Sequence, residues 1–222
     1  MNVLDSRFLR PGDTFAQRFT KPGTYHYAVG IQGSLAAPGH DSPFVIIVDS
    51  SPGKAPKTHY VTVAYAQGIF SVLPTQLEIN QNDAVLWSGA QPNVPGFSVS
   101  GQSEHARFDS AEIHSNGMYS HAFGGSGVIE WSDAHEPKLH GRITVEDHPA
   151  CRTHEDRQAY TQKLSKATLV MIEDGRARPS KVKIVVGQTV FFAVKSAGGI
   201  SIVDRALLGS SPVFLNPQPL PP

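Results

Sequence analysis

Alternating apolar and polar residues mark most of this 222-residue chain as β structure. A period of two places one face of a strand in a core and the other in water. Glycine and proline interrupt the alternation, for example at Pro22-Gly23 and Pro95-Gly96. The clearest strand predictions are Tyr60–Tyr65, Gln76–Ile79, Ala84–Trp87, Gly96–Val99, Met118–Phe123, Val128–Trp131 and Gly141–Val145. Many short strands with frequent turns predict an all-β protein built as a sandwich of sheets.

One segment departs from this pattern. The run Thr153–Lys166 contains neither glycine nor proline and carries many charged and amide side chains. It therefore predicts a helix. Its apolar stripe is thin, so we expect a charged linker helix rather than a core element.

The apolar pattern occurs twice. A string that begins at Leu4-Asp5-Ser6 and reaches Tyr27 recurs 104 residues later, where Asp109 corresponds to Asp5. A second string, Pro74 to Trp87, recurs at an offset of 105 as Pro179 to Phe192. Internal repetition of this kind decides the architecture before any local motif does.

The two strings resemble the two halves of a cupredoxin, the fold of plastocyanin and related blue-copper proteins. Pro179–Phe192 resembles the front half, and Phe19–Tyr27, with its Pro-Gly-Thr-Tyr-His-Tyr sequence, resembles the back half. The middle of the chain, from about His59 to Asp147, resembles one whole cupredoxin. The resemblance covers most of the chain outside the linkers and the proline-rich tail, and it implies Greek-key β-sandwiches.

The order along the chain is back half, front half, back half, front half. Only the middle two form a contiguous unit in cupredoxin order. We therefore expect a contiguous cupredoxin-like domain at 59–147 and a split one built from 1–49 plus 167–222. The split domain would be permuted within one chain or exchanged between chains. The linkers would be 50–58 and 148–166.

The copper ligands that the resemblance implies are missing. A type 1 site needs a thiolate, two imidazoles and a weak thioether. The cysteine positions are occupied by Val29 and Asp133, and the axial methionine position in the middle unit by Leu139. The upstream histidine positions read Val94-Pro95-Gly96 and Ala197-Gly198-Gly199, and the single cysteine, Cys151, lies in a linker. We expect no type 1 copper and no cofactor.

A rebuilt metal site is the weaker alternative. His121, His135 and His140 are its candidate ligands, and Asp133 and Glu136 would add oxygens. The competing interpretation is that these are surface or loop histidines in a chain that has ten. We expect no bound metal.

Composition and motifs narrow the function further. The 19 basic and 19 acidic residues cancel, so the electrostatic attraction that nucleic-acid binding requires is missing. No apolar run is long enough for a membrane span, and the N-terminus lacks the apolar core of a signal peptide. This predicts a cytoplasmic protein, or one released without an N-terminal signal. No nucleophile elbow, phosphate loop or zinc-protease helix is present, so we predict that the protein is not an enzyme.

The tail Ser211–Pro222 is rich in proline and would be extended. Such segments suit docking into a groove, whereas most proline-rich termini are disordered. The predicted interaction residues are Val213, Phe214, Leu215, Pro217, Pro219 and Leu220. We predict a structural, assembly or binding module that associates with itself or with another protein subunit. The alternatives are a metal-binding or redox protein with a rebuilt histidine site, and a small-ligand or carbohydrate binder with an exposed Trp87 or Trp131.

Overall fold

The structure is a computed structural model that describes residues 3–31, 42–51 and 55–208. Strands dominate it, which confirms the prediction of an all-β, sandwich-like fold. The strands of the first half of the chain are β1 (Asp13–Arg18), β2 (Gly23–Gly30), β3 (Phe44–Asp49), β4 (Thr58–Ala66), β5 (Ile69–Leu73), β6 (Gln76–Asn80), β7 (Ala84–Gly89), β8 (Ser98–Gln102) and β9 (Arg107–Asp109).

The second half repeats this succession with a helix inserted. Its strands are β10 (Gly117–Ala122), β11 (Gly127–Asp133), β12 (His140–Glu146), β13 (Thr168–Glu173), β14 (Arg176–Arg178), β15 (Lys181–Val185), β16 (Thr189–Val194) and β17 (Ile202–Asp204). Helix α1 (His154–Leu164) lies between β12 and β13, and a 3₁₀ turn (Arg205–Leu207) follows β17.

The strands form one large sheet and two smaller ones. The large sheet has eight strands in the order β14-β13-β16-β10-β1-β7-β4-β5. A five-stranded sheet has the order β6-β3-β2-β8-β9, and a four-stranded sheet has the order β15-β12-β11-β17. The large sheet thus spans the molecule, and each smaller sheet covers half of it.

Aromatic side chains fill the space between the layers. In the half we call the first sandwich, Trp87 of the large sheet lies 5.7 Å from Tyr27 and 5.4 Å from Phe108 of the five-stranded sheet, centroid to centroid. In the second sandwich, Trp131 and Phe192 meet edge to face at 5.2 Å. These rings are almost fully buried. Burying such large apolar surfaces is the main force that holds the layers together.

The two halves of the repeat pair differently from the sequence-based expectation. Strand β3 lies parallel to β6 and β2 lies antiparallel to β8, so residues 23–49 complete a sheet with 76–109. Likewise β12 pairs with β15 and β11 with β17, so 127–146 complete a sheet with 181–204. The expected grouping of 59–147 as one unit, and of 1–49 with 167–222 as another, is therefore wrong. Each back half pairs with the front half that follows it, across the segments 50–58 and 148–166.

Two short segments nevertheless cross between the sandwiches. The first described residues lie on the second sandwich, where Ser6 N–H donates to the Ile202 carbonyl at 2.8 Å and Ile202 N–H donates to Ser6 Oγ at 2.9 Å. The chain then moves to the first sandwich, where Leu9 and Phe97 exchange backbone hydrogen bonds. We call this stretch, residues 4–9, the first crossing segment.

The second crossing segment, residues 108–113, repeats this geometry in the opposite direction. Ser110 N–H donates to the Val99 carbonyl and Val99 N–H donates to Ser110 Oγ, both at 2.9 Å, within the first sandwich. Ile113 then exchanges backbone hydrogen bonds with Ile200 in the second. Each crossing segment thus pairs with a strand of one sandwich before the chain enters the other sandwich.

The two sandwiches are related by a pseudo-twofold symmetry, and its axis lies at the centre of the large sheet. Strands β1 and β10 are antiparallel, with Phe15 directly opposite Tyr119. These two residues are also each other's counterparts in the repeat, 104 residues apart. A pseudo-twofold axis therefore passes through this pair, as at an isologous interface between two copies of one unit.

Helix α1 confirms the predicted charged linker helix. Thr153 caps it, and the side chains of Thr153 and Asp156 satisfy each other's backbone N–H groups in a capping box. None of the helical residues is buried. The helix is attached to the second sandwich by Tyr160, whose hydroxyl donates to the Val186 carbonyl at 2.7 Å.

Deleting residues 1–6 tests the first crossing segment. The deletion removes the fully buried Leu4 and the acceptors of the Ile202 and Asp204 amides. We expect a loss of about 3 kcal/mol in the free energy of unfolding, the usual cost of emptying a large apolar site. Amide exchange should accelerate at Ile202 and Asp204, while β2 and β3 stay protected.

The matched control is Ser110→Ala, which removes the same serine contact at the second crossing segment. It should accelerate exchange at Val99 and leave Ile202 unchanged. Equal acceleration in both sandwiches after either change would contradict the reciprocal arrangement.

Candidate functional site

The loop end of the second sandwich is where the cupredoxin resemblance would place copper. Asp133, at the thiolate position, is buried at the end of β11. Its Oδ1 accepts the N–H groups of Ser201 at 2.9 Å and His135 at 3.3 Å. Leu139 stands at the thioether position and is buried as well. The carboxylate therefore connects two loops through their backbone, which is a structural use of the group.

His135 lies at the surface of this end. Its Nε2 is 3.1 Å from Ser201 Oγ and 3.9 Å from Glu112 Oε1. Ser201 Oγ donates to the Ala111 carbonyl at 2.6 Å. A serine nucleophile needs a free hydroxyl proton for its histidine, and a triad needs the carboxylate on the other ring nitrogen. Neither condition holds, because the hydroxyl proton goes to a carbonyl and both contacts use Nε2.

The other two candidate metal ligands lie elsewhere. His121 is buried in β10 of the large sheet, and His140 is exposed at the start of β12, with its Nδ1 2.8 Å from the Lys138 carbonyl oxygen. The structure therefore does not bring His121, His135 and His140 together. Across residues 3–31, 42–51 and 55–208, no group of three or more histidine, cysteine or acidic side chains is arranged to hold a metal ion.

His121 belongs instead to a buried polar cluster that the sequence analysis did not identify. Asp13 Oδ1 is 2.6 Å from His121 Nδ1 and accepts the Tyr119 hydroxyl at 2.7 Å. Asp13 Oδ2 accepts the Arg10 N–H at 2.8 Å. Burial, together with the Asp13 carboxylate, raises the pKa of Tyr119 well above its usual value, so the phenol keeps its proton and remains a donor.

This cluster joins the two sandwiches. Asp13 is on β1 and its two side-chain partners are on β10, with Asp13 directly opposite His121 in the register. A buried carboxylate with three donors is stabilised, whereas removing its partners would leave a charge without compensation. The sequence could have revealed the cluster only if the β1–β10 pairing had been known.

A second buried carboxylate organises the start of the first sandwich's front half. Asp83 accepts the N–H groups of Lys57 at 2.8 Å and Asn80 at 3.1 Å, and its Oδ2 lies 2.9 Å from His59 Nε2. Burial would raise the pKa of Asp83, but these hydrogen bonds outweigh it and hold the pKa at about 2. In the repeat, Gln188 stands here and its Oε1 accepts the Val185 N–H at 2.8 Å. The carboxylate is therefore a loop anchor that an amide replaces in the other sandwich.

The carbohydrate-binding alternative depended on an exposed tryptophan. Trp87 and Trp131 are both buried in the cores. An open cleft of about 450 Å³ lies between the start of β2 and the end of β8. It is lined by Pro22, Gly23, Thr24, His26, Gln102, Ser103, Glu104 and His105. It therefore offers a small polar surface without an aromatic platform for a sugar ring.

The most unusual surface is the hairpin β4–β5 at one edge of the large sheet. Its outward-facing side chains include Tyr60, Ile69 and Leu73, which are 68%, 70% and 74% exposed. Solvent-facing positions on a sandwich normally carry polar side chains. The register places all three on the outer face of the hairpin, which makes this face the candidate contact surface.

The predicted tail contacts, Val213, Phe214, Leu215, Pro217, Pro219 and Leu220, lie outside the described residues. Within the described ranges, both helical segments are too short and too polar to cross a membrane. Comparison of the chain with protein-family models, curated proteins and solved structures finds no match.

The lowered pKa of Asp83 predicts a pH dependence of stability. Because the folded state holds this pKa at about 2, below the ordinary 3.8, the stabilisation is complete above pH 4 and is lost as the pH falls towards 2. The shift corresponds to about 2 kcal/mol. Asp83→Asn should reduce the free energy of unfolding by about that amount at pH 7, and should flatten its dependence on pH between about 4 and 2.

Urea unfolding at a series of pH values measures both quantities. Asp83→Gln is the companion variant, because glutamine occupies the matching position 188. It should flatten the pH dependence in the same way, while retaining more stability if the amide reaches the same backbone groups. Parallel pH curves for the natural chain and Asp83→Asn would contradict this account.

Proposed function

We propose that this protein is a non-catalytic structural module that works by assembling with further copies of itself or with another protein subunit. The observation that carries the proposal is the exposed apolar surface of the β4–β5 hairpin, formed by Tyr60, Ile69 and Leu73. Leaving such side chains in water is unfavourable, and covering them with a partner recovers that free energy.

The distribution of buried polar groups supports a non-catalytic role. Asp13, Asp83 and Asp133 each accept backbone N–H groups and thereby join neighbouring segments. Catalytic carboxylates and histidines are instead aimed at a cleft that can hold a substrate. The open cleft near β2 contains none of these three carboxylates.

We further propose that both sandwiches are cupredoxin-like and free of type 1 copper. The strand pattern supports this: in each half a front-half pair lies parallel, β4 with β7 and β13 with β16, and a back-half strand completes the sheet antiparallel. Each sandwich would then carry its back half first along the chain, which is a permuted order.

A metal-binding role is the second candidate function. The observation that favours it is the pair formed by His135 Nε2 and Glu112 Oε1, 3.9 Å apart at the loop end of the second sandwich. Zinc and copper(II) accept such mixed nitrogen and oxygen ligands. Metal analysis of the purified protein distinguishes this role from assembly, because a structural module carries no stoichiometric metal.

Copper titration tests the absence of a type 1 site. Val29 and Asp133 occupy the positions of the thiolate ligand. Adding copper(II) should therefore give no intense absorption at about 600 nm, where thiolate-to-copper charge transfer occurs. Any weaker copper binding should disappear in the double variant His135→Ala, Glu112→Gln, which removes the nitrogen and oxygen ligands of the candidate pair. A stoichiometric blue complex would overturn the proposal that the sandwiches lack type 1 copper.

Light scattering tests assembly directly. The mass of the full chain, measured across a dilution series, should exceed that of one chain at high concentration and fall towards it on dilution. A mass of one chain at every concentration, in the absence of other proteins, would exclude self-assembly.

A further inference from the structure

The edge strand β5 has the features of a strand that pairs with another chain. Within the described residues it is hydrogen-bonded only to β4, so the backbone groups on its other side face outwards. Its inward side chains hold it to the core: Val72 is buried and the Phe70 ring lies 4.8 Å from that of Tyr65. Its outward side chains Ile69 and Leu73 are largely exposed. The strand Ile69–Leu73 contains no charged residue and no proline, which are two of the usual protections against edge pairing.

The opposite edge of the same sheet is protected. Strand β14 follows a tight turn with a left-handed residue, Asp174, just as β5 follows Gln67. It also precedes Pro179, the repeat counterpart of Pro74. Between the turn at Asp174 and Pro179, the outward-facing residues of β14 are Arg176 and Arg178, which are both exposed. The two edges therefore correspond in the fold and differ in chemistry.

The apolar side chains of β5 are arranged so that two copies of the strand can pair with each other in antiparallel orientation. If two copies of β5 lie antiparallel about Ser71, Ile69 of each faces Leu73 of the other on the outer surface. Phe70 of each then faces Val72 of the other on the inner side. A twofold interface requires such self-complementarity, and apolar cross-strand pairs stabilise it.

The same operation on β14 would be repulsive. Centred on Ala177, it would place Arg176 of one chain against Arg178 of the other. Like charges directly opposite each other across a strand pair are unfavourable. Of the two edges of the large sheet, only β5 accepts a second copy in this way.

The chain already contains one joint of this type. At the centre of the large sheet, β1 and β10 unite two sandwiches by antiparallel pairing about the pseudo-twofold at Phe15 and Tyr119. We propose that a second copy of this chain docks on β5 in the same manner, through antiparallel pairing of the two β5 strands centred on Ser71. This inference rests on the proposed assembly function and specifies its surface.

A five-residue edge is small for a stable interface, so we expect a reversible dimer with a dissociation constant on the order of 10 μM. The double variant Ile69→Arg, Leu73→Arg would place arginine opposite arginine, as β14 does. We expect the dissociation constant to rise about a hundredfold or more. Because both side chains are solvent-facing, and the matching edge carries arginine, the melting temperature should stay close to that of the natural chain.

The control variant is Leu169→Arg. Leu169 is 47% exposed and lies on β13, on the outer surface of the other sandwich, away from β5. Sedimentation equilibrium of the three full-length proteins gives the masses. The proposal requires a dimer for the natural chain and for Leu169→Arg, and a monomer for the double variant. If the double variant remains a dimer, the proposal that β5 is the docking surface is wrong, although self-assembly still holds. If the natural chain is a monomer, both the β5 proposal and the proposal of self-assembly are wrong.

Cysteine cross-linking tests the register. Ser71→Cys, combined with Cys151→Ser to remove the only native thiol, places two thiols directly opposite each other, within reach of a disulfide. Mild oxidation should then yield a covalent dimer. Ala177→Cys with Cys151→Ser, at the centre of the protected edge, should remain monomeric on a non-reducing gel. Equal cross-linking of both variants, or none at Ser71→Cys, would overturn pairing centred on Ser71.

Discussion

The antiparallel pairing of β1 with β10 is the interaction on which the rest of the structure depends. It turns two four-stranded half-sheets into one continuous sheet and fixes the relation of the two cores. Backbone hydrogen bonds alone would tolerate a shift in register, but Asp13 on one strand must meet both Tyr119 and His121 on the other. A buried charge that loses its donors is costly, so the polar cluster selects one register from several apolar ones.

The crossing segments reinforce this joint from outside. Ser6 and Ser110 perform the same task on different sandwiches, each satisfying both backbone groups of one residue in a strand of the smaller sheet. The second sandwich is therefore not closed by residues from the second half of the chain alone, because Leu4 and Ser6 bind its strand β17. The two sandwiches are therefore structurally dependent on each other, because separating them would expose strand edges on both.

Local features of the sequence were sufficient to predict the elements but not their partners. Period-two alternation located strands such as Ala84–Trp87 to within a few residues, and the composition of Thr153–Lys166 located the one α-helix in the described part of the chain. The pairing of halves was wrong because both back halves carry nearly the same apolar pattern, so either could cover either front half. The two possible pairings of the halves are distinguished by the crossover after Ser110, because the chain passes there from the first sandwich to the second, where Ile113 pairs with Ile200. Likewise, histidine spacing suggested ligands, whereas the role of His121 depends on Asp13, which lies 108 residues away.

The first crossing segment also has a consequence for synthesis on the ribosome. Ser6 binds Ile202, which lies 196 residues further along the chain, so Ser6 has no partner until those residues have been translated. The first sandwich can close once the residues up to Ser110 have emerged, but Leu4 and Ser6 then remain without Asp204 and Ile202. At about 5–20 residues per second, that interval lasts roughly 5–20 s. During it the nascent chain carries an unattached segment with the apolar Leu4, and exposed apolar surface of this kind is what chaperones protect during synthesis.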